Sequence, residues 1–372
     1  MEILEIVCYA FIAVVIIQAL FYVVVFSKLA FYKKKKKAFQ TSSAPLSVII
    51  CAKNEADNLK TFLPYIINQD YPEFEIVLIN DASNDDTFEV MEHFSSLHAN
   101  IKVVNVKSIE AFWGNKKYAL TLGIKAAKYD LFIFTDADCK PLSKYWLQDM
   151  AGHFSSEKTI VLGYSPYAKI KNSFLNKLIR FETLMTAVHY FSFALSGLPY
   201  MGVGRNLGYT KDTFFKANGF INHIQVKSGD DDLFVNQVAN SKNTAISLSK
   251  KSFTESKPKT SFKSWYKQKR RHVSTASFYK TNHKLILGLL YITNLLFWVL
   301  SILLFAFNFQ WQLVLALFLF RMLLQYIFIG KSSKKLLEKD LILLFPLLEF
   351  FLVFIQLTIF INNLISKPNH WK

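Results

Sequence analysis

Four stretches of this chain are long and apolar enough to cross a bilayer: residues 3–26, 285–308, 310–330 and 341–364. Inside hydrocarbon a backbone finds no water, so each such stretch has to satisfy its own N–H and C=O groups as a helix. The residues from 41 to about 255 are different: charges, Asn and Ser are scattered among short apolar runs. The pattern therefore predicts one membrane anchor, a separate folded domain, and three further membrane helices. A hydrophobic content of 52%, with 36 Phe, fits a chain that keeps much of its surface in lipid.

The charges orient it. Lys33 to Lys37 are five consecutive lysines directly after the first apolar segment. A cleaved signal peptide carries its charges before a shorter apolar core, so this order reads as an uncleaved anchor with its lysines in the cytoplasm. The basic loop Lys331-Ser332-Ser333-Lys334-Lys335 returns to the same side after two more crossings. The expectation is an integral protein of a bacterial-type inner (cytoplasmic) membrane, with its central domain cytoplasmic. Net charge is +17, but the lysines gather beside apolar segments, which favours lipid headgroups over nucleic acid as their partner. Three cysteines give neither an even disulfide framework nor metal-type spacing. The expected boundaries are 1–32 (anchor), 33–44 (basic linker), 45–257 (central domain), 258–284 (basic interfacial segment) and 285–372 (three helices). Residues 172–200 are apolar but broken by Lys177, Arg180, Glu182 and His189, which suits interfacial packing rather than a fifth crossing. His189 there reads as a packed or interfacial histidine.

Two charges interrupt the C-terminal segments. Arg321 lies nine residues before Gly330 and Glu349 eight after Leu341. At 1.5 Å per residue both sit about 12–14 Å from the inner end, so they are expected to pair.

The central domain alternates strands and helices. Residues 47–52, 74–79, 102–106 and 131–134 read as strands; patterns running to Ile67, over 86–94 and over 116–128 read as helices. Such alternation implies a parallel sheet with crossover helices, and ligands of such sheets bind at the carboxyl ends of the strands. Polar residues stand at those ends. Asn54 and Glu55 follow the first strand. Asp81 ends the second, where a carboxylate can accept from a base N–H or a ribose hydroxyl. Asp85 and Asp86 suit a helix start. Asp136 and Asp138, in F-T-D-A-D-C, follow the fourth. Two carboxylates so close repel unless a cation or hydrogen-bond donors intervene, and a hard divalent cation is held by one or two carboxylates plus substrate phosphates.

Taken together, S-V-I-I-C-A-K-N-E, I-V-L-I-N-D-A-S-N-D-D-T, G-N-K-K-Y-A-L-T-L-G-I and F-T-D-A-D-C resemble the N-terminal half of family 2 glycosyltransferases. The resemblance covers residues 45–275 by motif. It implies an α/β GT-A fold with a mostly parallel sheet, here flanked by transmembrane helices. It also implies an inverting transfer from a nucleotide-diphosphate sugar to a lipid or saccharide acceptor, with Mg2+ or Mn2+ as cofactor. Asn54, Glu55 and Asp81 would then lie on the donor side, Asp81 against the base, and Lys116 near the diphosphate. Asp136 and Asp138 would serve the donor and its metal. The Gly-rich M-G-V-G-R-N-L-G-Y would lie toward the acceptor, which makes Arg205 and Asn206 candidates. In S-G-D-D-D-L a carboxylate would take the acceptor's proton. Matching D-x-D-L favours Asp230, the preferred reading, and matching G-D-D favours Asp231. Gly229 departs from the Glu usual in the family. In K-Q-K-R-R-H, Gln268 and Arg271 match Q-x-x-R-W, with Arg271 toward the diphosphate and His272 where Trp is usual on the acceptor side. A processive polysaccharide synthase with coupled export carries the same motifs. A membrane scaffold with a degenerate nucleotide-sugar domain is the alternative from another class, and the presence of every acidic motif argues against it.

Overall fold

The computed structural model describes residues 2–33, 44–107 and 116–366. The lysine run from Lys34 onward and the Gly114-Asn115 part of G-N-K-K lie outside these. In chain order the helices are α1 (Glu2–Leu20), α2 (Ser27–Ala30), α3 (Ala56–Ile67), α4 (Thr87–Leu97), α5 (Lys116–Ala126), α6 (Trp146–Ala151), α7 (Phe174–Leu195), α8 (Lys211–Lys216), α9 (Asp232–Val238), α10 (Phe262–Ser274), α11 (Thr281–Ala306), α12 (Trp311–Lys335) and α13 (Phe345–Ile365). The strands are β1 (Leu46–Ala52), β2 (Phe74–Asp81), β3 (Ile101–Val106), β4 (Leu131–Phe134), β5 (Cys139–Pro141), β6 (Ile160–Leu162), β7 (Leu207–Thr210), β8 (Thr244–Ile246) and β9 (Thr254–Ser256). They fall into two compact units. Residues 44–170 and 197–259 form the first; residues 2–33, 171–196 and 260–366 form the second. Residues 171–196, inside the 45–257 span of the sequence reading, thus cluster with the apolar helices.

The first unit is built on a seven-stranded sheet of order β3-β2-β1-β4-β7-β6-β8. Strands β3, β2, β1 and β4 are mutually parallel, β7 runs antiparallel to β4 and β6, and β8 is parallel to β6. A parallel strand covered on both faces has to be apolar throughout. Accordingly Val48, Ile49, Ile50, Ile76, Val77, Leu78, Phe132 and Ile133 are all buried. Helices α3, α4 and α6 pack on one face through Leu59, Leu63, Met91, Leu147 and Met150. On α5, Gly123 rests against β2: an added Cβ would lie 2.1 Å from Ile79 Cδ1. Only a glycine admits that approach, and it carries the first turn of α5 to the strand ends.

The second unit contains four helices long and apolar enough to cross a membrane: Glu2–Ala30, Thr281–Ala306, Trp311–Lys335 and Lys339–Ile365. The first is interrupted by a π-helical stretch, Phe21–Phe26. The predicted intramembrane pair is present. Arg321 Nη1 and Nη2 each donate to a Glu349 oxygen at 2.6 Å, and both residues are buried. Arg321 Nε donates to Gln18 Oε1 at 2.6 Å and Nη2 to Asn294 Oδ1 at 3.2 Å, so the guanidinium ties four helical segments. Breaking a buried pair from one side leaves the other charge uncompensated, at a cost of about 3–5 kcal/mol. Arg321→Glu or Glu349→Arg alone should therefore lower the melting temperature in detergent sharply. The double exchange should recover part of the loss, the Gln18 and Asn294 bonds being specific to Arg321. A double exchange no more stable than either single one would show the pair to be energetically idle.

Helix α7 is held within the same unit by Arg180, whose Nη2 pairs with Glu338 and, at 2.8 Å, with Asp340. Helix α10 is fastened to α13: Arg270 donates to Asn363 Oδ1 at 3.0 Å and to the Asn362 carbonyl at 2.9 Å. Lys269 also pairs with Glu182 of α7.

Candidate active site

Because β1, β2 and β4 run parallel, their carboxyl ends open side by side, and the residues after them share one edge of the sheet. Asn54 takes a positive φ of 55°, a conformation Asn tolerates, and turns the chain from β1 toward α3. Its backbone N–H donates to Ser83 Oγ at 3.0 Å, and its Oδ1 accepts from Asn84 N at 2.9 Å. The Glu55 N–H donates to Thr87 Oγ1 at 2.8 Å, and the Glu55 carboxylate accepts from Asn58. Asp85 joins the same brace through the N–H groups of Thr87 (3.1 Å) and Ala56 (3.3 Å), as expected of a residue at a helix start. The two loops are thus locked together through side chains and backbone.

Asp81 ends β2 and is buried, yet its Oδ2 has no hydrogen-bond partner among the described residues. Burial pushes its pKa up, with Lys53 and Lys116 opposing. A buried acceptor left open at a strand end is a group waiting for a donor.

Lys116 is the hub. It is buried at the start of α5, and its Nζ lies 3.1 Å from Asp136 Oδ1 and 2.9 Å from Asp230 Oδ2. The cation that the sequence demanded beside Asp136 is, in this state, an ammonium. It bridges carboxylates from the turn after β4 and from the loop before α9. Asp138 stands apart from that bridge: burial, then the charges of Asp136 and Glu55, push its pKa up to about 6 despite Arg205. Two hard carboxylates, one held against its own ionisation, fit a divalent cation, which would relieve the excess negative charge. Among the described residues no group of three His, Cys, Asp or Glu side chains forms a complete ligand set. The remaining ligands of such an ion would have to be diphosphate oxygens and water.

The acidic cluster is positioned by glycines. Gly229 has a φ of +89°, and a Cβ there would lie 2.5 Å from Leu233 Cδ1, which gives the departure from Glu a local cause. Asp231 caps α9 by accepting from Asp232 N at 2.8 Å, and its Oδ2 accepts from Gly204 N at 2.6 Å. Burial, then the charges of Asp230 and Asp232, raise the Asp231 pKa to about 7. Asp136, Asp230, Asp231, Lys116, Thr135 and Gly204 line one pocket.

The remaining sequence candidates separate. Arg205 lies with Cζ 4.4 Å from the centre of the Tyr167 ring, and its carbonyl accepts from Thr135 Oγ1 (3.1 Å) and Thr254 Oγ1 (2.9 Å). Asn206 is fully buried. Its Oδ1 accepts from Trp146 Nε1 at 3.1 Å, and its Nδ2 donates to the carbonyls of Tyr164 (2.8 Å) and Ser252 (2.7 Å). With its amide so engaged, Asn206 belongs to the frame rather than to the cavity wall. Gln268, Arg271 and His272 lie on α10, in the other unit.

Lys117 went unread in the sequence. Buried beside Lys116, it donates to the carbonyls of His223 (2.7 Å) and Val226 (2.9 Å), and burial lowers its pKa to about 8. It anchors the segment that leads into Asp230. The second lysine of K-K was the available signal, but which carbonyls it reaches depends on contacts 106 and 109 residues away.

Comparison with known proteins agrees with this geometry. Residues 47–215 match Glycosyl transferase family 2. Glycosyltransferase AglE of Haloferax volcanii is 32% identical over 111 residues, 29% of this chain and 35% of that protein. Poly-beta-1,6-N-acetyl-D-glucosamine synthase of Staphylococcus epidermidis is 33% identical over 93 residues, 25% of this chain and 21% of that protein. The chain therefore matches only about a fifth to a third of the length of these relatives. Among solved structures, the mannosyltransferase PcManGT of Pyrobaculum calidifontis, in complex with GDP-Man and Mn2+, superposes with a TM-score of 0.58 at 18% identity. The match covers 90% of this chain and 99% of that one and shows a shared fold. With four parallel strands meeting at an acidic edge, residues 47–215 carry a domain that matches glycosyl transferase family 2, and the fold is of the GT-A class.

Proposed function

We propose that the chain transfers a sugar, with inversion, from a nucleotide-diphosphate sugar to a hydroxyl of a lipid or lipid-linked acceptor at a cytoplasmic membrane face. The observation that carries this reading is the Lys116 ammonium bridging Asp136 and Asp230 beside Asp231, with the carboxylates of Asp81 and Asp138 at the same edge of the sheet. Asp81 would accept from the base or ribose through its open Oδ2. Asp136 and Asp138 would hold Mg2+ or Mn2+, which when bound supplies charge neutralisation at the diphosphate. Lys116 would meet phosphate oxygens as well as carboxylates. Asp231, with a pKa near neutrality and its carboxylate fixed by the Gly204 N–H, is suited to take the acceptor's proton. The four membrane-length helices in the same chain support a lipid acceptor.

A screen of UDP-, GDP- and other sugar nucleotides tests the donor class. With Mn2+ present, the right donor should raise the melting temperature of the purified protein, and the increase should vanish with a chelator. It should also fade as pH falls through about 6, because the raised pKa of Asp138 means that protons then compete with the metal. No shift with any donor would remove the reading. A second reading, a processive polysaccharide synthase, is favoured by the local identity to the Staphylococcus epidermidis enzyme. Product length separates the two: long polymers from one acceptor indicate the synthase.

A further inference from the structure

The last apolar stretch, Lys339–Ile365, is long enough to cross a membrane, yet it starts and finishes at the same end of the helical unit. We propose that it does not cross: it enters one leaflet, returns to the same face, and packs its outward side chains against the acyl chains of that leaflet.

The other three membrane-length helices set the frame. α1 and α11 run antiparallel, with Phe11 against Phe297 (5.8 Å between ring centres) and Gln18 Nε2 donating to the Thr293 carbonyl at 2.8 Å. α11 and α12 form a hairpin through residues 307–310, with Phe305 against Phe318 and Asn294 bonded to Arg321. One end of this bundle therefore carries the 307–310 turn. The other carries Ala30, Thr281 and Lys335, and there Lys335 Nζ donates to the Tyr32 carbonyl while Lys331 Nζ lies 4.1 Å from the centre of the Phe31 ring. The last stretch starts at this basic end, where Glu338 N donates to the Ser333 carbonyl at 2.8 Å.

It also finishes there. α10 joins α11 through residues 275–280 alone, and at about 3.5 Å per residue these cannot span a 26-residue helix of about 39 Å. So α10 sits where α11 begins, and it holds the end of α13. Arg270 Nε donates to Asn363 Oδ1 (3.0 Å) and Asn363 Nδ2 to the Arg270 carbonyl (2.9 Å). Asn362 Nδ2 donates to Tyr266 Oη (2.6 Å) and Arg270 Nη2 to Ser366 Oγ (3.0 Å). The ring contacts agree. Trp298 meets Phe350 (5.3 Å) and Tyr291 meets Phe360 (4.9 Å), so α13 advances toward the start of α11. Against α12 its first turns go the other way: Phe345 meets Tyr326 and Glu349 meets Arg321, farther from Lys335. The stretch thus goes in and comes back. The break that permits this is local, because Lys339–Leu344 is a 3-10 helix and α13 starts anew after it with Pro346 in its first turn.

Burial and charge identify the partner. Leu343, Leu347, Phe351, Ile361 and Leu364 are between 41% and 89% exposed, an apolar face too large to leave in water. It continues the exposed apolar side chains of α11, such as Leu289 and Ile292. At its end the face gives way to Asn362, Asn363 and Ser366, and Lys263 and Lys267 of α10 are exposed. An apolar body with a polar, lysine-flanked end is the distribution of a helix lying within one leaflet beneath anionic head groups.

The test uses the full chain in membrane vesicles of both orientations. No sugar donor is present, so its failure would leave the transferase reading untouched. Lys280→Cys marks the basic end, Phe307→Cys the opposite turn and Ser366→Cys the end of α13. A membrane-impermeant maleimide is applied, and peptide mass spectrometry reads each site apart from Cys8, Cys51 and Cys139. Ser366→Cys is expected to label in the orientation that labels Lys280→Cys and to lose its labelling in the other. Labelling together with Phe307→Cys would show a fourth crossing and overturn the proposal. Should Ser366→Cys misfold or label in neither orientation, a tag appended after Lys372 and probed with protease decides the same question on the native sequence. A bimane on Leu347→Cys, reconstituted with a phosphatidylcholine carrying a nitroxide on its acyl chain, should lose its fluorescence. An unquenched probe would overturn the lipid contact.

Discussion

Asp138→Ala should abolish sugar transfer, by on the order of 10³-fold or more, while leaving a folded protein that fractionates with the membrane. Asp138 is the carboxylate of the pair that the ammonium does not reach. Lys116 bonds Asp136 and Asp230, whereas burial, then the charges of Asp136 and Glu55, push the Asp138 pKa up to about 6. Its replacement removes a destabilised charge, so the fold should be unharmed or slightly firmer. What is lost is half of the hard-oxygen grip proposed for the metal. The measurement is turnover of the donor identified by the nucleotide screen, beside a melting curve of the same preparation. Unchanged turnover in a folded variant would remove the metal assignment from this residue.

Asp231→Asn should reduce turnover by about 10²–10⁴-fold with little change in donor-induced stabilisation. Asparagine keeps one acceptor oxygen, which can retain the Asp232 N–H cap of α9 while the Gly204 N–H bond to the second oxygen is lost, together with proton acceptance. Asp230→Asn should cost less, because Lys116 keeps Asp136 as a partner. The sign of the pH dependence follows from the raised pKa. A base must be ionised to act, so turnover should fall as pH drops through about 7. Asp230 and Asp231 are adjacent and interact, so the apparent value belongs to the pair. If Asp230→Asn proves the more damaging, the base is Asp230 and the register D-x-D-L is the right one.

The four membrane-length segments were legible because their signal is composition over 20 or so residues, which no tertiary contact can reverse. The Arg321–Glu349 pair was legible for the same reason: two charges at matching depth in hydrocarbon have few alternatives. Strands β1 to β4 were legible as apolar runs bounded by polar turns, and they appear close to where the pattern puts them. The short β5–β9 ladder was not, since three-residue strands such as Cys139–Pro141 carry no periodicity. Asn206 was misleading in the opposite way. The resemblance put this residue of a Gly-rich stretch toward the acceptor, but β7 pairs antiparallel with β4 and Asn206, just before it, is turned inward onto Trp146.

By itself, then, the sequence determined the membrane segments, the parallel half of the sheet and the row of carboxylates at its edge, all of which depend on local pattern. Only the tertiary structure decided how those carboxylates are used. Gly123 lets α5 lie against Ile79, and that docking delivers Lys116 between Asp136 and Asp230, while burial and the charges of Asp136 and Glu55 raise the pKa of Asp138. Ion pairs and pKa values fall off over a few ångströms, and distances of that order between segments 20 or more residues apart are set by packing.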